Sequence, residues 1–242
     1  MNVRKIMTRL NAATARYDVA RGGVPEITAQ DVAGALALVA DPLARDVFCC
    51  LWWPDSTALN RERVQKALRD RIWSEFSRRH RAAQIAKLDL NIAEGELAAR
   101  RAPTAEERRE VDARRMAWER LHRDLWPGTM ATYPQLLRAV LTEFAAPRHC
   151  ATCKGRGAVA GGNGPRVCAS CDGRGEKSQS KAWRANALGM TEANFRQSWE
   201  QVYEWTYSLV SDLESLAASQ LTRALGAYDD TRVTSAAFAA AS

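Results

Sequence analysis

A chain of 242 residues with 35 Lys and Arg against 28 Asp and Glu, a net charge of +7, can bury one or two cores and favours a polyanionic partner. Its six cysteines fall into two CxxC pairs and one adjacent pair, a usage that suits a reducing compartment better than a secreted disulfide scaffold. The basic residues between Met1 and Leu10 precede no long apolar core, and no stretch reaches the ~18 apolar residues of a membrane span, so a soluble cytoplasmic protein is expected.

Residues Val3 to Arg21 are basic and mildly amphipathic, and Gly22-Gly23-Val24-Pro25 ends them as a turn. Thr28 opens a second helix with Val32, Leu36 and Val39 at helical spacing. Asp41-Pro42 starts a third, which runs into Trp52 and Trp53 and stops at Pro54. Cys49 and Cys50 lie in its apolar run and read as buried free thiols, since adjacent cysteines seldom pair with each other. Residues 1–56 therefore form an N-terminal helical region whose aromatic side chains are core.

From Leu59 to about Arg101 no proline interrupts an apolar seam of Val64, Leu68, Ile72 and Phe76, continued by Ile85, Leu88, Ile92 and Leu97. This pattern predicts one long helix. Pro103 breaks it, Thr104 and Glu107 make a capping box, and Val111, Trp118, Leu121 and Leu125 share a face of the next helix. Residues 57–130 thus read as a helical hairpin, an arm long enough to reach a protein partner. Its run Arg78-Arg79-His80-Arg81 reads as a solvated face, with a nucleic-acid patch as the alternative. Tyr133-Pro134 then leads into a helix striped by Leu136, Leu137, Val140, Leu141 and Phe144.

That helix delivers the chain to two copies of CxxCxGxG, Cys150 to Gly157 and Cys168 to Gly175. Each places two thiols three residues apart with glycines behind them, and two such pairs converging make a tetrahedral four-cysteine site for zinc. A disulfide pair or unligated thiols are the competing readings. His149 adjoins the motif, but four cysteines at the right spacing leave it outside the ligand set. A site closed by four thiolates is structural, and with only His80, His122 and His149 scattered elsewhere no catalytic constellation is expected.

Ser180 to Trp199 read as a helix-turn-helix: Ala185 permits a close crossing, Gly189 supplies a left-handed turn and Thr191 caps the second helix. Phe195, Trp199 and Val202 would face inward, leaving Thr191, Glu192, Asn194, Arg196 and Gln197 at the exposed N-terminal end, where recognition helices meet base edges. Lys154, Arg156, Arg166, Arg174, Lys177, Lys181, Arg184 and Arg196 oppose only Asp172, Glu176 and Glu192 here, a local excess of five positive charges suited to phosphate contacts. The candidate DNA-binding set is therefore Lys154, Arg156, Arg174, Lys177, Lys181, Arg184, Thr191, Glu192, Asn194, Arg196 and Gln197. Residues 131–226 form this zinc and DNA-binding region, and 227–242 read as a flexible tail. The whole chain is expected to be all-α, a helical bundle with a long hairpin arm and a small zinc-knuckle insertion.

From Tyr133 to Leu225 the order of parts resembles the late-gene antitermination proteins Q of lambda-like bacteriophages: an apolar helix, two CxxCxGxG knuckles, the step Ala182-Trp183-Arg184-Ala185, and Trp199 ahead of a helix with Tyr207, Leu209 and Val210. The resemblance implies one zinc on Cys150, Cys153, Cys168 and Cys171, helices that bind DNA overlapping the late promoter, and a role for Arg184 as part of the matched motif. It further implies capture of sigma-containing bacterial RNA polymerase at an early pause, then read-through of terminators. The loop between the knuckles is shorter here, and the Leu59 to Leu125 hairpin has no counterpart in that family. CxxCxGxG is also the repeat of DnaJ-type cochaperones, but those carry four copies and a His-Pro-Asp motif absent from this chain. A zinc-containing RNA- or DNA-processing factor of phage origin is the third reading.

Overall fold

The computed structural model describes residues 3–9, 29–53, 61–145, 148–161, 164–173 and 175–239. Residues 10–21 of the expected first helix, the turn at Gly22 to Pro25, the helix start at Thr28, the stop at Pro54, the start of the long helix at Leu59 and Arg174 lie outside them. The architecture is mainly helical. Helices α1 (Val3–Arg9), α2 (Ala29–Ala37) and α3 (Pro42–Trp52) precede the long α4 (Arg61–Ala98) and α5 (Ala105–Arg123). A 3-10 turn at Met130–Thr132 leads into α6 (Tyr133–Ala145). After the cysteine segment come α7 (Lys181–Ala187), the single turn α8 (Glu192–Asn194), a π-turn at Phe195–Trp199 and α9 (Glu200–Ala239). Helix α9 thus continues to Ala239, over most of the span read from sequence as a tail.

Helix α9 is the spine of the bundle, packed by α1, α2, α3 and α6. Its Val202, Tyr203, Val210, Leu221 and Leu225 are essentially inaccessible and join one core with Val32, Phe48, Leu68, Leu136 and Val140. Helix α3 starts where the sequence expects it: Pro42 occupies the first turn and the Asp41 carboxylate accepts from the backbone N–H groups of Leu43 and Ala44, at 2.8 and 3.2 Å. A bidentate Arg4 to Glu214 pair, with Trp52 Nε1 also donating to Glu214, ties α1 and α3 to the spine.

Val64, Leu68 and Ile72 root α4 in this core, and the rest of the helix leaves it as an arm with α5. The capping box is present: Glu107 N–H donates to Thr104 Oγ1 (3.2 Å) and Thr104 N–H to Glu107 Oε2 (2.8 Å). The register of the arm differs from expectation. Its small core is Leu90, Ala93 and Val111, with Leu97 and Trp118 against it, while Ile85, Leu88 and Ile92 are 61, 61 and 51 % exposed. Past Phe76 the face turned to α5 repeats every seven residues through Ala83, Leu90 and Leu97, as antiparallel helices in continuous contact require. Ile85, Leu88 and Ile92 lie roughly 140 to 160° around the helix from Leu90 and so point away. Leu121 is likewise at the surface. The arm closes at its base on Trp126, 1 % exposed, whose carbonyl faces His80 Nε2 at 3.0 Å and whose ring carries the Arg79 guanidinium at 5.0 Å. Among the described residues no helix is long and apolar enough to cross a membrane.

Candidate metal centre and adjoining helices

The cysteine segment is folded by two short antiparallel ladders that its sequence did not announce. Strand β1 (Arg148–His149) pairs with β4 (Glu176–Lys177), and β2 (Ala158–Gly161) with β3 (Gly164–Val167). The first ladder brings the ends of the segment together, and the second is a hairpin between the knuckles. Cross-links complete the frame: Cys150 N–H donates to the Gly175 carbonyl (2.8 Å) and Cys168 N–H to that of Gly157 (2.9 Å).

The two knuckles have nearly the same backbone. Lys154 and Asp172 have φ of 52° and 50°, Gly155 and Gly173 of 81° and 78°, Gly157 and Gly175 of 73° and 79°. The second glycine of each copy is demanded twice, because a Cβ on Gly157 would land on the carbonyl oxygen of Gly173, and one on Gly175 on that of Gly155. Their N–H groups donate to sulfur, Gly157 to Cys153 Sγ at 3.3 Å and Gly175 to Cys171 Sγ at 3.2 Å.

The four thiols are buried, and their sulfurs lie within 4.8 Å of one another. Cys150 Sγ is 3.9 Å from Cys168 Sγ, and Cys153 Sγ is 3.7 Å from Cys171 Sγ. A disulfide needs sulfurs ~2.05 Å apart, whereas a tetrahedral ion with thiolate bonds of ~2.3 Å spaces them by ~3.8 Å. The cluster therefore fits a metal ion and not a disulfide. Backbone N–H groups of Cys153 and Thr152 pull the Cys150 thiol down to about 6, while burial pushes Cys171 up to about 11. Thiolates packed this closely would repel one another, and a cation among them would offset that. His149 is outside the cluster, its exposed ring lying close to Gly155.

Beyond β4, Ser180 caps α7 by accepting from Trp183 N–H (3.1 Å), Gly189 turns with φ 68°, and Thr191 accepts from Asn194 N–H (3.3 Å). Phe195, Trp199 and Val202 face the core, 0 to 3 % exposed. Asn194, Arg196 and Gln197 are exposed, and Arg196 is held by Glu192 one turn back, with Nε at 2.9 Å from the carboxylate. Thr191 is occupied as a cap. Lys154 and Arg156 are exposed on the first knuckle, Lys177 is half-buried on β4, and Lys181 pairs with Glu200. Arg166 is exposed on β3.

Arg184 corrects the sequence reading. It is 4 % exposed and cannot touch a duplex. Its guanidinium grips Glu143 on α6 through Nε (2.9 Å) and a terminal nitrogen (2.8 Å), pairs with Glu204 on α9, and lies 4.6 Å from the Tyr203 ring centre. Burial opposes its charge, but Glu143 and Glu204 outweigh that and raise its pKa. Glu143, 1 % exposed, also accepts from Tyr203 Oη (2.7 Å) and from the N–H of Gln179 (2.8 Å), the residue that leaves the cysteine segment. One carboxylate thus fastens α6, α7, α9 and the cysteine segment together. The signal for it was an acidic residue on the apolar stripe of α6, three positions from Val140 and seven from Leu136.

Arg148, exposed at the outer end of the first ladder, stands directly opposite Lys177. Like charges opposed across a ladder cost stability unless an anion lies over them. Compared with protein-family models, curated proteins and solved structures, the chain matches none.

Proposed function

We propose that this protein is a zinc-ordered DNA-binding antitermination factor. It binds late-promoter duplex, loads onto sigma-containing bacterial RNA polymerase at an early pause, and takes the enzyme through later pauses and terminators. The supporting observation is the joining of two parts: a four-cysteine cluster with sulfur spacings of 3.7 and 3.9 Å, and immediately after it a capped helix, a left-handed glycine turn and a second capped helix with polar residues outward.

Cys150, Cys153, Cys168 and Cys171 hold one Zn2+, and four thiolates leave it no open position for catalysis. Its task is to fix the exit strand that Glu143 then clamps to α7. Asn194, Arg196 and Gln197 meet base edges as a helix-turn-helix presents them, with Arg196 leaving Glu192 for a base or phosphate. Lys154, Arg156, Lys177 and Lys181, joined by Arg148 and Arg166, take phosphates on the flank. The hairpin arm contacts polymerase. No bond is made or broken, because unequal affinity for elongating and paused enzyme is enough to shift the balance between them. Such a factor works in the bacterial cytoplasm.

Two measurements test this. Metal analysis of Cys153→Ser should fall below the one equivalent of zinc held by wild type, and undiminished zinc would mean other ligands. In competition binding, Arg196→Ala and Asn194→Ala should lose ~1–3 kcal/mol of preference for a specific duplex. Lys177→Ala should weaken all duplexes alike and flatten the salt slope by ~1. Equal losses on specific and random DNA for all three variants would remove the recognition role.

A further inference from the structure

The outer face of α4 carries Ile85, Leu88 and Ile92, each more than half exposed and turned away from α5. About one turn apart on one face of α4, they form an exposed apolar patch of the kind that marks interaction sites on soluble proteins. Their spacing is three then four residues, continued three residues on by Gly95, which is the a/d pattern of a helix seam with Ile at a and Leu at d. Gly95 adds an independent sign. A glycine inside a helix weakens it relative to alanine, and a Cβ there would meet nothing within 4 Å, so no contact among the described residues requires it. A missing side chain at that position lets another backbone come close.

We propose that this face docks an amphipathic helix of a partner protein, one whose aliphatic seam is flanked by Lys or Arg. The rims of the face decide the occupant. Asp89 and Glu96 line one edge, Asp89 being 57 % exposed and sharing Arg114 at 3.2 Å, while the exposed amides Gln84 and Asn91 line the other. A second copy placed antiparallel would set acidic rim against acidic rim, and placed parallel would set it against amides. Neither gives an ion pair, whereas a basic-flanked helix pairs along the acidic edge. The short seam keeps the contact weak and reversible, suited to a partner also held elsewhere. This inference needs none of the metal, DNA and polymerase readings: it narrows the arm's protein contact to one face, whichever protein supplies the helix.

The test titrates the full-length protein with a labelled synthetic peptide of about three heptads, Ile at a, Leu at d and Lys at the flanking positions, and with its Glu-flanked twin. The Lys-flanked peptide should bind at ~10–100 µM and the Glu-flanked one at least ~10-fold more weakly. Leu88→Glu should weaken the Lys-flanked peptide at least ~10-fold with no change in melting temperature, since the side chain is exposed. Gly95→Ala should raise the melting temperature yet weaken the peptide. Binding that survives Leu88→Glu, or no binding up to ~1 mM, overturns the proposal. Concentration-dependent dimerisation abolished by Leu88→Glu would assign the face to a second copy instead.

Discussion

Arg184→Ala tests whether the cysteine segment is held to the bundle by a buried ion pair. The substitution removes two hydrogen bonds to Glu143, of 2.9 and 2.8 Å, and the pairing with Glu204. Glu143, 1 % exposed, keeps only Tyr203 Oη and the Gln179 N–H. Breaking a buried pair from one side costs ~3–5 kcal/mol, because the remaining charge is stranded. Against a total stability of ~5–15 kcal/mol that is a large fraction. With a urea slope of ~3 kcal/mol/M, the unfolding midpoint should fall by ~1–1.7 M. The double variant Arg184→Met with Glu143→Leu removes both charges and should recover most of the loss. Glu204→Ala should cost at most ~1 kcal/mol, since that carboxylate is half exposed. An Arg184→Ala protein as stable as wild type but unable to bind DNA would refute the reasoning and restore Arg184 as a surface contact.

Gly157→Ala forces a side chain onto the Gly173 carbonyl at a φ of 73°, so metal content at one equivalent of added zinc should fall while the far-UV helical signal persists. In the arm, Leu90→Ala should cost ~2–4 kcal/mol of local stability and Ile85→Ala almost none, read by hydrogen exchange of α5; equal effects would reject the observed register. Cys49 and Cys50, expected to be buried, are half-buried free thiols; burial, then Asp46, pushes Cys49 up to about 11, and burial also raises Cys50. At pH 8 the Cys49 thiol stays almost wholly protonated, so iodoacetamide should label this pair far more slowly in folded than in unfolded protein.

Local chemistry was readable in advance wherever one or two residues decide it. Asp41 with Pro42, Thr104 with Glu107, Ser180, Gly189 and Thr191 all do in the structure what their types require. The paired knuckles could be recognised because their glycines are imposed by φ and by close backbone approach. Relations between distant segments could not. The arm carries two aliphatic stripes, and which one faces α5 depends on where α5 docks, so Ile85, Leu88 and Ile92 went to the wrong side. Arg184 looked like a surface cation because its partners, Glu143 and Glu204, are 41 and 20 residues away. The β1 and β4 ladder pairs two dipeptides across the whole metal segment, too short for any alternating pattern to show.

The central claim, that a metal-ordered segment presents α8 and the π-turn to specific duplex DNA, is tested most directly by selecting bound duplexes from a random-sequence library with zinc-loaded protein. The account predicts enrichment of one sequence motif, lost when Cys153→Ser or Arg196→Ala protein is used. Recovery of unenriched sequence by the zinc-loaded protein would contradict it.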